Sequence, residues 1–240
     1  MQIDVQLLPS PLDSHLVSNR VVVVIDVLRA TSVMVHAMYQ GAQEIIPVKT
    51  VDEAVQMAKT FPPKTTLLGG ERESRRIEGF DLGNSPREYM AEKVRGKRLI
   101  LTTTNGTRAC YAVSSGKEVL VGSFFNISAV AGRCLEMDRD LLIYPSGDEG
   151  DFSLEDTVCG GMLVAQIMKK SKKAIDLTDA SHSARTLFQR FEDHLVEALH
   201  LSRHGKELID RGYGDDLPYC AQIDITEIVP VFREGVIKII

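Results

Sequence analysis

Apolar and polar positions along this chain switch repeatedly between two periods. Val21–Ile25 is an unbroken β-branched run, VVVVI, the pattern of a strand buried on both faces of a parallel sheet. Shorter apolar runs at 3–8, 44–49, 65–68, 98–101, 118–121 and 140–144 also read as strands, the first ended by Pro9 and Pro11. Between them the spacing turns helical. A helix from a cap at Thr31 or Ser32 runs to about Gln40 and Gly41, with glycine suited to the closing position. Others are predicted at 51–60, stopped by Pro62-Pro63, at 87–93 and 108–114, and at Ile127–Met137 behind Asn126. Ser153-Leu-Glu-Asp156 fits a capping box for a helix to Lys170. Residues 176–211 read as helical in two pieces, and 226–232 with 236–240 as a C-terminal β-hairpin. Strands alternating with helices predict an α/β fold, three-layer αβα with a mainly parallel sheet. No repeat or low-complexity linker divides the chain. Residues 1–240 therefore read as a single catalytic α/β unit; two closely packed lobes would change over near 84–97.

One stretch obeys neither period: LLGGERESRRIEGFDLGNSP, residues 67–86. Unpatterned segments of about 18 residues are long for a compact fold, and are usually functional or disordered. Its start, GGER (69–72), follows a predicted strand. So do DVLRATS (26–32), TTTNGT (102–107), GSFFN (122–126) and PSGDEGDFSLED (145–156), whereas the opposite turns are plainer. Ligands of open parallel sheets bind outside the carboxyl ends of the strands. Glu71 and Arg72 are therefore expected at the chemistry, Arg75 and Arg76 at the rim or in solvent, and the remainder, through Asn84 and Pro86, as a cover.

Charge narrows the function. The net charge is −5 with no Lys/Arg block, which argues against nucleic acid as a partner. No apolar run approaches ~20 residues and no basic-then-apolar leader is visible, so no membrane partner is expected. Four scattered cysteines without C-x-x-C suit a reducing compartment, and the cytoplasm is expected. The sequons at Asn105 and Asn126 are read as chance. A homo-oligomer remains open.

The strand-end turns suit a small, highly charged anion. Arg29 and Arg72 offer planar forks for oxyanions. Thr103, Thr104 and Asn105 offer donors, and Gly106 lets backbone approach closely. Asp26, Glu71, Asp81, Glu155 and Asp156 are hard oxygen ligands that suit Mg²⁺. Glu155 and Asp156 point about 100° apart on a helix, so one of them should reach the site. Plainer readings stand beside these: Asp26 as a helix N-terminal acid, Arg72 as a surface ion pair with Glu71 or Glu73, Ser153 and Asp156 as a cap alone. LSRHGKE (201–207) matches the Arg-His-Gly signature of histidine phosphatases, but it lies in a helical pattern. His204 is therefore assigned to a solvated helix face or to a helix closed by Gly205.

Taken in order, VVVVIDVLRATS, LLGGERESRRIEGFDLGNSP, LTTTNGTRA, GSFFNISAV and DFSLEDTVCGG resemble the 2-phosphosulfolactate phosphatases. The resemblance covers most of the chain, including Asp215-Asp216 and Cys220. It implies an αβα-layered, Mg²⁺-dependent acid phosphatase that hydrolyses (2R)-2-phospho-3-sulfolactate to 3-sulfolactate and phosphate, a step in coenzyme M biosynthesis. Pro145-Ser146 departs from the smaller residues expected there. The substrate, a small phosphorylated anion, carries a charge of roughly −4. On this reading Asp26, Arg29, Arg72 and Glu155 carry catalysis. Glu71, Asn84, Thr103, Thr104, Asn105, Gly106, Ser146 and Gly147 surround the substrate, and Asp26, Glu155 and Asp156 face the metal. Water attacks phosphorus in line, while Mg²⁺ and Arg29 or Arg72 neutralise the phosphoryl oxygens. A phosphatase of the same fold for another small phospho-carboxylate, or a non-catalytic anion binder, is the alternative.

Overall fold

The β-branched run at Val21–Ile25 is a strand buried along its whole length in the computed structural model, which describes residues 1–9 and 12–240. Pro11, expected to help end the first strand, lies outside the described residues. In chain order the strands are β1 (Gln2–Val5), β2 (Val21–Ile25), β3 (Glu44–Pro47), β4 (Thr66–Arg72), β5 (Arg75–Arg76), β6 (Arg98–Thr102), β7 (Glu118–Gly122), β8 (Leu141–Pro145), β9 (Asp176–Leu177), β10 (Pro230–Arg233) and β11 (Val236–Ile239). The helices are α1 (Ser14–Val17), α2 (Ala30–Tyr39), α3 (Val51–Ala58), α4 (Ala91–Val94), α5 (Gly106–Ala112), α6 (Ile127–Met137), α7 (Leu154–Lys170), α8 (Asp179–Phe191), α9 (Leu195–Leu201), α10 (Arg203–Asp210) and α11 (Asp216–Cys220).

The sheet order is β5-β4-β6-β3-β11-β10-β7-β2-β8-β1-β9. Strands β7, β2, β8 and β1 run parallel, as do β3, β6 and β4. The expected C-terminal hairpin joins these sets from the middle of the sheet, antiparallel to β7 on one side and to β3 on the other. Following those pairings, the two parallel sets point opposite ways along the sheet. Twist reverses the consequence. Five strand steps separate β2 from β6, and at about 20–25° each they turn the sheet by roughly 100–125°. The carboxyl ends of both sets are thereby brought back toward one another.

Helices α2 and α5 fill the concave side. Val33, Met34, Ala37, Ala109 and Cys110 pack with Val22, Val24, Val121 and Leu142 from one set and with Ile45, Leu99 and Leu101 from the other. Helices α6 to α9 cover the outer face of the first set, and α3 that of the second. This is the αβα layering expected. All four cysteines are free and buried. No helix among the described residues is long and apolar enough to cross a membrane.

Several boundaries differ from the pattern-based expectation. Strand β4 continues through Gly69-Gly70 to Arg72, because Gly70 (φ +137°) lies so close to β6 that a Cβ would sit 1.9 Å from the Thr102 carbonyl oxygen. The stretch after it is an ordered hairpin turning at Glu73 and Ser74, both with positive φ. Thr31 and Ser32 do not cap α2 from outside. Their hydroxyls lie inside it and donate to Asp26 O at 2.9 Å and Val27 O at 2.8 Å. The predicted helix at 87–93 is a 3₁₀ turn, Pro86–Glu88, followed by α4. Residues 176–211 hold three helices behind β9 rather than two pieces.

His36 on α2 is buried among Tyr39, Phe125 and Tyr219, and its Nδ1 has no hydrogen-bond partner. Burial lowers its pKa from 6.5 to about 4, because the site disfavours the charged ring. Stability is therefore full above pH 6.5 and is lost as pH falls toward 4. In urea titrations His36→Phe should lose less stability than the wild type across that interval. Equal slopes would contradict the assignment.

Candidate active site

Strand β2 ends at Ile25, and the carboxylate of Asp26 just beyond it is held from both sides. Oδ1 accepts the Ala30 N–H at 3.0 Å. The other oxygen abuts the start of α5, where a Cβ on Gly106 would lie 2.6 Å from Asp26 Oδ2 and 2.4 Å from Ala30 Cβ. Glycine is what allows the loop after β6 to touch the loop after β2. Asp26 lines a cavity of about 240 Å³ together with Leu28, Arg29, Asn84 and the turns 71–74, 103–105 and 148–149.

Behind Asp26 lie two more buried carboxyl groups from the first turn of α7. Ser153 caps that turn, accepting the Asp156 N–H at 3.2 Å. Asp156 Oδ1 accepts the Val27 N–H at 2.8 Å, and Oδ2 accepts the Ser146 hydroxyl at 3.2 Å. Burial raises the pKa of Asp26 and of Glu155. It raises that of Asp156 further, with repulsion from Glu155 and Asp26 adding to it. Three carboxyl groups so placed call for protons or a cation, since buried negative charges without compensation are costly.

The opposite wall is built on β4. Glu71 Oε1 accepts the Thr104 N–H at 2.7 Å and Oε2 the Ser74 N–H at 2.9 Å, joining the hairpin to the TTTNGT loop. The Arg72 guanidinium is tied to Glu71 O at 2.6 Å and to Thr102 Oγ1 at 2.9 Å. Burial lowers the Arg72 pKa, nearby Glu71 opposes this, and Arg108 adds to it. Thr103 Oγ1 accepts the Thr107 N–H at 3.1 Å, which leaves its hydroxyl hydrogen free. Arg29 is fully buried: Nη1 pairs with Asp216 Oδ2 at 2.7 Å, Nη2 donates to Ser74 O at 2.9 Å, and the guanidinium stacks on Tyr213. Its Nε and the Oδ1 of Asn84 have no hydrogen-bond partner among the described residues.

The cavity thus unites Asp26, Arg29, Glu71, Arg72, Asn84, Thr103, Thr104 and Asn105, with Gly106 bordering Asp26. It does not take in four other expected residues. Glu155 and Asp156 are buried behind Asp26, and Ser146 serves Asp156. Gly147 (φ +71°) packs against Pro9 and Asp151 O. Arg29 lines the cavity with its fork engaged, Nη1 by Asp216 and Nη2 by Ser74 O. Asp81 accepts the Leu68 N–H at 2.9 Å and stands away from the cavity. The GSFFN turn is core: Phe124, Phe125 and Asn126 are fully buried, and the Asn126 amide bonds Val121 O and Ile228 O. Arg75 and Arg76 are exposed and do not line the cavity, in keeping with a place at the rim or in solvent.

His204 and Glu207 line the cavity too, contrary to the solvated helix face or Gly205-closed helix expected for His204. Ser202, not Gly205, ends the neighbouring turn: it caps α10 by accepting the Gly205 N–H at 2.9 Å. Arg203 clamps α10 to the loop after β8, donating to Asp148 Oδ2 at 2.6 Å and Asp151 Oδ2 at 3.3 Å. The Arg-His-Gly match was the one signal for this wall, and its helical setting argued against it.

Six carboxylates line the cavity, Asp26, Glu71, Glu73, Asp148, Glu149 and Glu207, against Arg29, Arg72 and His204. Such a lining favours an anion that arrives with a cation. Among the described residues no three His, Cys, Asp or Glu side chains form a ready-made ligand set. The donor chemistry nevertheless fits Mg²⁺, which takes one or two carboxylates and completes its shell with water and substrate phosphate oxygens.

A model of the 2-phosphosulpholactate phosphatase family matches residues 7–235. A probable 2-phosphosulfolactate phosphatase of Caldanaerobacter subterraneus subsp. tengcongensis is 42% identical over 217 residues, covering 90% of this chain and 89% of that protein. One from Clostridium acetobutylicum is 39% identical over 235 residues, covering 98% and 99%. One from Clostridium novyi is 40% identical over 233 residues, covering 97% of each.

Gly106→Ala should destabilise the fold by about 1–3 kcal/mol through overpacking. Gly132→Ala, in α6 with nothing within 4 Å of the new Cβ, should gain up to ~1 kcal/mol. Urea titration of both measures the contrast; a neutral Gly106→Ala would show that Asp26 and α5 are not held in contact.

Proposed function

Because the chain belongs to the 2-phosphosulpholactate phosphatase family, we propose that it is a Mg²⁺-dependent phosphoric monoester hydrolase acting on (2R)-2-phospho-3-sulfolactate. The products are 3-sulfolactate and phosphate. The observation that carries this reading is the meeting of Asp26, Arg72 and Thr103–Asn105 in one small cavity with a predominantly acidic wall. That wall suits a substrate that arrives with a metal ion.

Asp26 would hold Mg²⁺, with Glu155 and Asp156 behind it as further negative charge. When bound, the metal would supply charge neutralisation at the phosphoryl group and make water more acidic. Arg72 places a fixed positive charge on the opposite wall. The Thr103 hydroxyl and the Asn105 amide donate toward the phosphate. Glu71 holds the Thr104 backbone in place, so these donors need no rearrangement as charge develops. Asp26 is read as a ligand rather than a nucleophile, because no aspartyl-phosphate motif surrounds it in the sequence. A phosphoaspartate trapped at position 26 would reverse it.

Phosphate release from 2-phosphosulfolactate, with Mg²⁺ and with EDTA, tests the proposal. Release that needs Mg²⁺ is expected. Release from other phospho-carboxylates but not from this compound would overturn the substrate, and undiminished release in EDTA would overturn the metal. Arg72→Ala should fold and lose about 10²–10³-fold in kcat; near-wild-type turnover would remove Arg72 from the site.

A further inference from the structure

Hydrolysis of an alkyl phosphate has a second requirement besides charge neutralisation at phosphorus. The leaving oxygen departs as a strongly basic alkoxide unless a proton reaches it as the bond breaks. Arginine holds its protons too firmly to serve. The carboxyl groups on β2 and α7 are read above as facing the metal. Among the described residues that line the cavity, His204 is the one imidazole.

Its setting is built rather than incidental. The α9–α10 junction is so tight that a Cβ on Gly205 would lie 1.8 Å from Leu199 O. Ser202 caps the turn and Arg203 fastens it to Asp148. The His204 Nδ1 is buried without a hydrogen bond, 3.8 Å from Glu207 Oε2. Glu207 is itself pinned by the Ser74 hydroxyl at 3.0 Å and by Arg211 Nη2 at 3.0 Å. His204 itself lines the cavity, with Nδ1 on the Glu207 side of the ring. An imidazole beside a carboxylate that is itself fixed is an arrangement suited to proton transfer. His204 is also close enough to lower the pKa of Asp26 and Glu155 electrostatically.

We propose that His204 is a catalytic residue that protonates the leaving oxygen, with Glu207 as its positioning residue. This inference rests on the reading of the cavity as a phosphomonoester site. Water forms the new bond to phosphorus while the bond from phosphorus to the substrate oxygen breaks. The released electron pair takes a ring N–H proton of His204, giving the alcohol. The proton lost by the attacking water leaves to solvent, and the imidazole regains one from solvent.

The test compares two esters in His204→Gln and in the wild type. With 2-phosphosulfolactate the variant should lose about 10²–10⁴-fold in kcat. With p-nitrophenyl phosphate, whose leaving group needs no proton, the loss should be less than about tenfold. Glu207→Gln should show the same bias toward the alkyl ester, more weakly. Equal losses on both esters would overturn the proposal, leaving a structural or binding role. An acid-labile phosphoryl group trapped on His204 would overturn it by making His204 the nucleophile. If the wild type hydrolyses 2-phosphoglycolate but not 2-phosphosulfolactate, the substrate assignment fails, and the ratio measured with 2-phosphoglycolate decides His204. If it hydrolyses no ester, both readings fall.

Discussion

Three carboxyl groups, Asp26, Glu155 and Asp156, are buried against one another where β2 meets α7, and the surrounding structure is arranged to tolerate them. Burial alone pushes each toward the neutral form, and their mutual repulsion pushes Asp156 furthest. The Val27 N–H, the Ser146 hydroxyl and the cap at Ser153 satisfy individual oxygens and the helix start. The positive end of the α7 dipole favours acids in that first turn. None of these brings a full countercharge. A metal ion seated at Asp26 and shared with a phosphate would, and that is the physical reason for linking the cluster to the proposed chemistry.

Distance along the sheet is the other constraint. The carboxylate cluster belongs to the parallel set around β2, and Glu71, Arg72 and the threonine loop belong to the set around β6. The C-terminal hairpin inserted between them provides both the reversal of direction and two of the strand steps whose twist undoes it. Gly70 and Gly106 then permit backbone contacts that any side chain would block. The cavity is consequently a meeting of two strand-end clusters, closed on a third side by α10 and the loop it clamps.

The elements that were legible in the chain are those with strong local signals. The β-branched run of β2, the helical spacing of α6 and the Ser153 cap of α7 predict those boundaries residue for residue. The strand-end rule likewise selects Asp26, Glu71, Arg72 and Thr103 to Asn105, because it needs only the order of elements; Asn84 belongs to the cover expected over them. The strand order was not legible, since the pairing of β10 with β7 and β11 with β3 joins segments more than 100 residues apart. His204 was hidden for a related reason: it reaches the cavity from a helix that follows no sheet strand directly, and its amphipathic spacing resembles that of any surface helix. Glu155 and Asp156 satisfy the cap pattern and the acidic-ligand pattern equally well, and their depth behind Asp26 emerges only from tertiary packing. GSFFN shared the strand-end position but spends its aromatic side chains on the core.

A crystal structure grown with Mn²⁺ and phosphate, with the metal located by anomalous scattering, tests the central claim most directly. The account predicts a Mn²⁺ peak on the Asp26 carboxylate inside the cavity, with a phosphate oxygen in its coordination shell. Phosphate bound in the cavity without metal at Asp26, or Mn²⁺ bound only elsewhere, would contradict it.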